Sequence, residues 1–391
     1  MKTLRFSRLE LTNWRNFKSV DVPLASRTFV VGPNAIGKSN LLDAFRFLRD
    51  LALEGGGLAK AVSVRNHLAS IRSLHARGAN DICIAVEVTD SMGTGWRYEL
   101  AFNHRSAKQT RPIVKREQVW KLSAGGERIE VLPKRPRPDE KSDDEQLAQT
   151  ALQQATQNKD FRELSEFLRS VSYLHIVPQL VREEQRPRED AVGFDPFGRD
   201  LLDRIADTPK AQRTQRLKDL EKILKRVVPQ MRGLKQTRDR QGRPHLETNF
   251  IHWRGFGATQ NETQFSDGTL RLIGLLWSLQ ESGAPLLLEE PELSLHSHVV
   301  SKLAGFIHRA QETGQGRQVI VSTHSEHLLS DAGIAPEEIL LVTPVKEGSA
   351  VESGAKHARV SRLMKAGLLP SEAVIPETVT KGMDLFQWAA A

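Results

Sequence analysis

The stretch Gly32-Pro33-Asn34-Ala35-Ile36-Gly37-Lys38-Ser39 decides the fold. It fits G-x-x-x-x-G-K-[ST], a loop whose glycines let backbone N–H groups curl toward phosphates while a lysine supplies a cation and a hydroxyl supplies a Mg²⁺ ligand. The flanks agree with that reading. Thr28-Phe29-Val30-Val31 reads as a buried strand ending at Gly32, and Leu41, Leu42, Phe45, Leu48 and Leu51 recur at three- and four-residue intervals. A helix therefore starts at Ser39, inside the loop, and ends near Gly55-Gly56-Gly57. Lys38 is expected on the β- and γ-phosphates of ATP, Ser39 on Mg²⁺, and Gly32, Pro33, Asn34, Ala35, Ile36, Gly37 and Asn40 around the nucleotide.

Further along, the apolar run Pro285-Leu286-Leu287-Leu288 delivers Glu289-Glu290. A buried strand carrying two consecutive acids to the carboxyl edge of a sheet has the form of a Walker B motif. Glu289 would then hold Mg²⁺, directly or through water, and Glu290 would polarise the attacking water as general base. Taken alone, an exposed acidic turn explains the pair almost as well. Val319-Ile320-Val321-Ser322-Thr323-His324 repeats the arrangement and ends in a histidine able to donate to a γ-phosphate, although a strand-end histidine is often structural. His327, His296 and His298 have no cysteine or third ligand at matching spacing, which leaves zinc the weaker reading.

The bulk numbers bound these motifs. With 391 residues, 39% hydrophobic and 27% charged, the chain can bury a large core plus insertions as one α/β unit or two lobes. No window reaches the roughly eighteen consecutive apolar residues of a membrane helix, and Met1-Lys2-Thr3-Leu4-Arg5 lacks a signal-peptide core, so a cytoplasmic protein without membrane contact is expected. The single cysteine, Cys83, cannot form an internal disulfide and sits in the alternating run Ile82-Cys83-Ile84-Ala85-Val86, where it reads as a buried strand residue. A formal net charge of +8 favours a polyanionic partner but is spread over a large surface and marks no sequence-specific site.

Strand alternation at Leu4-Phe6-Leu9-Leu11 and Val20-Val22 precedes the loop, and residues 81–132 look like antiparallel strands with turns at 93–95 and 125–126. Residues 133–145 are proline-rich and charged and read as a mobile linker. Helical periodicity returns over 146–170 and 199–228, an inserted arm whose basic faces read as solvated, so no DNA site is placed there. Strand, turn and strand resume over 234–253 around Gln241-Gly242, followed by a helix over 269–280. Three segments result: 1–132 with the phosphate loop and a β subdomain, 133–232 with linker and helical insertion, and 233–391 with the remaining motifs.

In this order the motifs resemble the ABC-type ATPase heads of the RecF, SMC and OLD group, above all its stand-alone ATPases without a TOPRIM domain. The fold implied is α/β: an ABC-type P-loop NTPase head with mixed sheet, antiparallel β subdomain and inserted helical arm. Asn13-Trp14-Arg15-Asn16-Phe17-Lys18 looks like the group's N-terminal motif, which implies that Arg15 helps hold the nucleotide. Phe265-Ser266-Asp267-Gly268-Thr269 resembles the ABC signature, with Ser266 and Gly268 opening a helix toward a γ-phosphate. Ser266 is also an ordinary helix N-cap, and both roles are compatible. Asp267 stands where many signatures have glycine, a carboxylate that must point away from phosphate. Leu174-His175-Ile176-Val177-Pro178-Gln179 looks like a Q-loop whose Gln179 amide would sense Mg²⁺ and the attacking water, or simply like a strand end. Pro291-Glu292-Leu293-Ser294-Leu295-His296 resembles the D-loop.

The resemblance implies a homodimer, or a higher even-numbered oligomer, that sandwiches ATP and Mg²⁺ so that Lys38 of one chain meets Ser266 of another. Residues 325–391 contain no Asp-x-Asp pair of the TOPRIM kind, and 133–230 are too short, and too broken by Pro178, Pro187 and Pro196, for a long coiled-coil arm. The expected role is an ATPase that switches a protein effector such as a nuclease in anti-phage defence. The alternative is a repair or chromosome-maintenance ATPase acting directly on double-stranded DNA.

Overall fold

Every residue of the strand Arg27–Val31 is buried, and the strand runs directly into the phosphate loop. The computed structural model describes residues 3–76, 81–105, 111–137, 143–183, 195–251, 257–281, 283–313 and 316–378. The chain divides into two compact units, Met1–Arg169 together with Ser322–Ala391, and Ser170–Val321.

In the first unit the strand order is Arg128–Arg135, Pro112–Leu122, Gly95–His104, Ile82–Thr89, Arg5–Trp14, Phe17–Pro23, Gly348–Ser353, Ile339–Val345, Arg27–Val31. Neighbours are antiparallel as far as Phe17–Pro23. Gly348–Ser353 then joins parallel to Phe17–Pro23, and Ile339–Val345 lies antiparallel to it and parallel to Arg27–Val31. This is the expected mixed sheet with its antiparallel β subdomain. The helix Lys38–Ala52 follows the phosphate loop and buries Leu41, Leu42, Phe45, Phe47, Leu48 and Leu51, each side chain contributing roughly 1.5–3 kcal/mol of transfer free energy. Phe6 meets Phe45 edge-on at 4.8 Å between ring centroids, and Trp14 meets Phe47 at 5.2 Å, so the strand Arg5–Trp14 is seated on that helix.

Two sequence expectations are corrected here. Cys83 is only half-buried, because the two-residue period that buries Ile82 and Ile84 turns it to the opposite side of the strand. Residues 133–145 are not a structureless linker throughout: Pro133 lies in the strand Arg128–Arg135 and a helix spans Asp144–Leu147, while 138–142 fall outside the described residues. Proline is tolerated because this strand is at the sheet edge and pairs only with Pro112–Leu122, so its missing N–H removes no essential ladder bond.

In the second unit Leu286–Glu289 lies parallel to Ser172–Leu174 in the register Leu286 to Ser172, and is also flanked by Val319–Thr323. The apolar run fits because the first three residues of Leu286–Glu289 are fully buried. The helix Asp267–Gln280 buries nearly its whole length, from Thr269 to Leu279. Leu201–Asp207 and Lys210–Val227 form the helices expected over 199–228, separated at Pro209, and the longer one buries only Leu217, Leu220 and Leu224. A separate antiparallel sheet, Gly257–Asn261, Pro244–Ile251, Met231–Arg238, completes the unit. Arg317 is buried at the far end of Asp267–Gln280, where it donates to the carbonyls of Ser278, Glu281 and Ala284. It thereby satisfies the orphan carbonyls of a helix C-terminus with a cation; burial pushes its pKa down to about 10. No helix among the described residues is long and apolar enough to cross a membrane.

Candidate nucleotide-binding site

The phosphate loop is built from the N-terminal motif upward. Asn13 and Arg15 take left-handed backbone angles, φ 55° and 52°, and turn Arg5–Trp14 back into Phe17–Pro23. That turn presents Asn16 to the loop. Its Nδ2 donates to the Ile36 carbonyl at 2.6 Å and to Ser349 Oγ at 2.8 Å, while its Oδ1 accepts from Asn40 Nδ2 at 2.8 Å. Trp14 Nε1 donates to the Asn40 carbonyl at 2.8 Å. Gly37 is confined by the same contact: its φ is 109°, and an added Cβ would fall inside the Asn16 amide.

Arg15 donates to Asp43 Oδ2 at 2.7 Å and to the Ser70 carbonyl at 3.1 Å. Its guanidinium is thus placed against the helix that follows the loop. Arg65 grips the same carboxylate at 2.9–3.0 Å and reaches Asp50 at 2.9 Å. Burial acts to raise the Asp43 pKa, but Arg65 and Arg15 outweigh it and hold the acid below the ordinary carboxylate range.

Lys38 is buried and donates from Nζ to the carbonyls of Gly32 and Pro33 at 2.9 and 3.0 Å, whereas Asn34, Ala35 and Ser39 are exposed. The helix Lys38–Ala52 begins at Gly37 with no side-chain cap. The dipole of this helix favours an anion at that end. The loop residues therefore fit a nucleotide's phosphates. In the same unit His324 is exposed immediately after Val319–Thr323, in a turn where Thr323 Oγ1 accepts from the Ser325 N–H at 3.0 Å.

The second unit gathers the other motifs. Glu289 and Glu290 are half-buried at the end of Leu286–Glu289, and Glu290 has a φ of 42°, a left-handed conformation that costs a non-glycine residue energy and is common at functional sites. His175 Nδ1 lies 3.3 Å from the Glu289 carbonyl oxygen. Over 291–296 the chain makes two turns, Leu293 N–H to the Glu290 carbonyl at 3.2 Å and Leu295 N–H to that of Glu292 at 3.1 Å. His296 then accepts from the His298 N–H at 3.2 Å, capping Ser297–Val300. Among the described residues no group of three or more His, Cys, Asp or Glu is arranged to hold a metal ion.

Ser266 is the N-cap of Asp267–Gln280, accepting from the Thr269 N–H at 3.2 Å. A Cβ on Gly268 would lie 2.6 Å from the Ser294 carbonyl oxygen, so only glycine lets the signature and the 291–296 loop touch. Asp267 is neutralised locally. Arg182 pairs with it at 2.6 Å and Gln179 Nε2 donates to it at 3.1 Å, both from the short helix Pro178–Arg182. Gln179, exposed one turn before Arg182, is thus placed at the signature's own acid. Sequence reasoning gave no role to Arg182 or His175 and named Asn16 only within the N-terminal motif. The three-residue spacing of Gln179 and Arg182 on a helix was the available signal.

Strand, phosphate loop and helix on a mixed sheet, with an acid pair and a capped glycine helix on their own elements, define an ABC-type P-loop ATPase head. The fold is similar to that of the SMC head solved bound to the C-winged helix domain of ScpA, with a TM-score of 0.51 and 16% identity over 89% of this chain and 97% of that one. The SMC head domain from Thermotoga maritima matches at a TM-score of 0.42 and 16% identity, over 89% of this chain and 98% of that one. The chain belongs to the family described as "AAA domain, putative AbiEii toxin, Type IV TA system", whose model matches residues 27–330. A stretch of 58 residues is 38% identical to endonuclease GajA of Bacillus cereus (strain VD045), covering 15% of this chain and 10% of that protein's length.

Proposed function

We propose that this chain is an ATP-hydrolysing switch whose copies close head to tail around ATP and Mg²⁺ and thereby control a partner effector, a nuclease in anti-phage defence. The observation that carries the reading is the phosphate loop running into the N-terminus of Lys38–Ala52, with Asn16 bracing Ile36, Asn40 and Gly37. MgATP, when bound, supplies the scissile phosphoanhydride and a Lewis acid. In the first unit residues 32–40 would cradle its phosphates, Lys38 would supply them a cation and Ser39 would be a metal ligand; in the second unit Glu289 would be a metal-binding acid. Glu290 would take the proton of an attacking water, and His324 would donate to the γ-phosphate. Ser266 and Gly268 offer the N-terminus of Asp267–Gln280 to the nucleotide of another copy. Arg15 serves by fixing the loop's helix through Asp43, and Gln179 by holding Asp267.

The effector half of the proposal is supported by the short identity to a protein named as an endonuclease. Direct action on double-stranded DNA is the second reading, favoured by the net charge of +8. Glu290→Gln, sized by chromatography with mass detection with and without ATP and Mg²⁺, should accumulate a dimer that the wild type forms only transiently. A further shift on adding duplex DNA supports the second reading, and a dimer indifferent to DNA supports the effector reading. A Glu290→Gln protein that binds ATP yet stays monomeric would sink the head-to-tail mechanism.

A further inference from the structure

The signature helix has a second use at its opposite end. Asp267–Gln280, Lys210–Val227, Ser297–Val300 and Leu303–Thr313 together enclose a groove of about 770 Å³. Its floor is aliphatic with one ring: Ile223, Leu276, Leu279, Val299 and Phe306. Val227, one turn beyond Ile223, adds an apolar edge that is 38% exposed, beside the stripe of Leu217, Leu220 and Leu224 that the helix buries. The rim is cationic. Lys222, Arg226, Lys302 and Arg309 stand around it with His298, against one carboxylate, Asp219, which already pairs with Lys222 at 2.7 Å and accepts from Gln215 at 2.9 Å.

We propose that this groove docks an acidic amphipathic helix of a partner protein. An apolar trough between helices accepts side chains spaced i, i+3, i+4 and i+7 from one face of a helix. Basic side chains at the rim cover the trough with their stems and select carboxylates on the helix flanks with their charges. A nucleic acid strand fits less well: the one ring of the floor, Phe306, carries the Arg309 guanidinium 5.2 Å from its centroid, which leaves bases without a free stacking platform. The inference rests on the effector reading only for the partner's role. Leu276, Leu279 and Gln280 line the groove while Ser266 and Gly268 mark the other end of the same helix, so docking and the signature share one rigid element.

The test needs no nucleotide, so a failure of ATP-driven switching leaves it interpretable. The probes are displayed helical peptides with fixed apolar anchors and polar positions drawn from Glu, Lys and Gln, selected on the full chain and then measured singly by fluorescence anisotropy. Glu-rich peptides should emerge, and their binding should weaken at least about tenfold on Arg226→Glu with Lys302→Glu, and again on Ile223→Asp. Melting temperature and ATP turnover should stay at wild-type values in the charge-reversal protein. Enrichment of Lys-rich or uncharged peptides, equal binding by the variants, or an oligonucleotide that binds through the same cations when no peptide does, overturns the proposal. So does a change of assembly mass caused by the variants alone, which would make a second copy of the chain the occupant.

Discussion

Arg182 holds Asp267 at 2.6 Å and from the same Nη2 donates to the Phe265 carbonyl at 2.6 Å, so the acid that departs from the usual signature glycine is balanced within its own chain. The pair is part-exposed, and its value to folding is below about 1 kcal/mol. Its consequence lies in what faces a phosphate. In a Glu290→Gln background, Arg182→Ala should raise the ATP concentration needed for dimerisation by about tenfold, since the carboxylate then opposes the helix dipole at the γ-phosphate. Adding Asp267→Gly should restore it. Sizing with mass detection across an ATP titration reads both, and an unshifted Arg182→Ala protein would show that the carboxylate never meets the nucleotide.

Asn16 makes three hydrogen bonds to the loop and its surroundings. At about 1 kcal/mol each, their loss in Asn16→Ala should weaken ATP binding by roughly tenfold to a hundredfold. Fluorescent-nucleotide titration reads the affinity, and a thermal melt shows whether the fold holds. Equal affinity in mutant and parent would mean the loop keeps its shape without this brace.

Arg317 caps three carbonyls from a buried position. Arg317→Met removes the donors to those carbonyls, a cost of about 1–3 kcal/mol, while Glu281 keeps its pairing with Arg204 at 2.5 Å. The urea midpoint should fall accordingly, with Arg317→Lys recovering only part because a lysine cannot fork between carbonyls. A midpoint within error of wild type would place the helix end under other control.

His245 bridges Glu262 at 2.6 Å and Asp239 at 3.5 Å. Burial acts to lower its pKa, but the two carboxylates outweigh it and the folded value is raised. A raised folded pKa means that the folded protein binds the proton more tightly than the unfolded chain. The stabilisation is therefore complete below the unfolded histidine pKa of about 6.5 and disappears as pH rises through the higher folded value. Urea unfolding followed from acid to mild alkali should show that loss in wild type and not in His245→Gln.

The site motifs were legible because each is contiguous: a strand, a turn and a helix in Thr28 to Leu51, or an apolar run ending in Glu289-Glu290. Alternation also marked the hairpin around Gln241-Gly242, where Met231–Arg238 meets Pro244–Ile251 in the separate antiparallel sheet, whereas the mixed sheet was implied by the family resemblance. What sequence could not carry was pairing at a distance. Arg182 and Asp267 are 85 residues apart, and Asn16 and Ser349 are 333 residues apart. Periodicity says which face a residue occupies and nothing about which other face it meets. Pro133 misled for a related reason, since proline excludes a central strand but the edge position of Arg128–Arg135 is a property of the whole sheet. Cys83 was lost to the opposite error, an apolar run read as buried on both faces when its strand buries one more deeply.

The 2.6 Å approach of the Ser294 carbonyl to the space a Gly268 side chain would fill makes the signature and the 291–296 loop one piece of machinery. Neither can slide past the other without a gap or a clash. A displacement of either presses on the other at this contact, so this corner of the unit would act as a latch, thrown or not thrown, rather than as a dial.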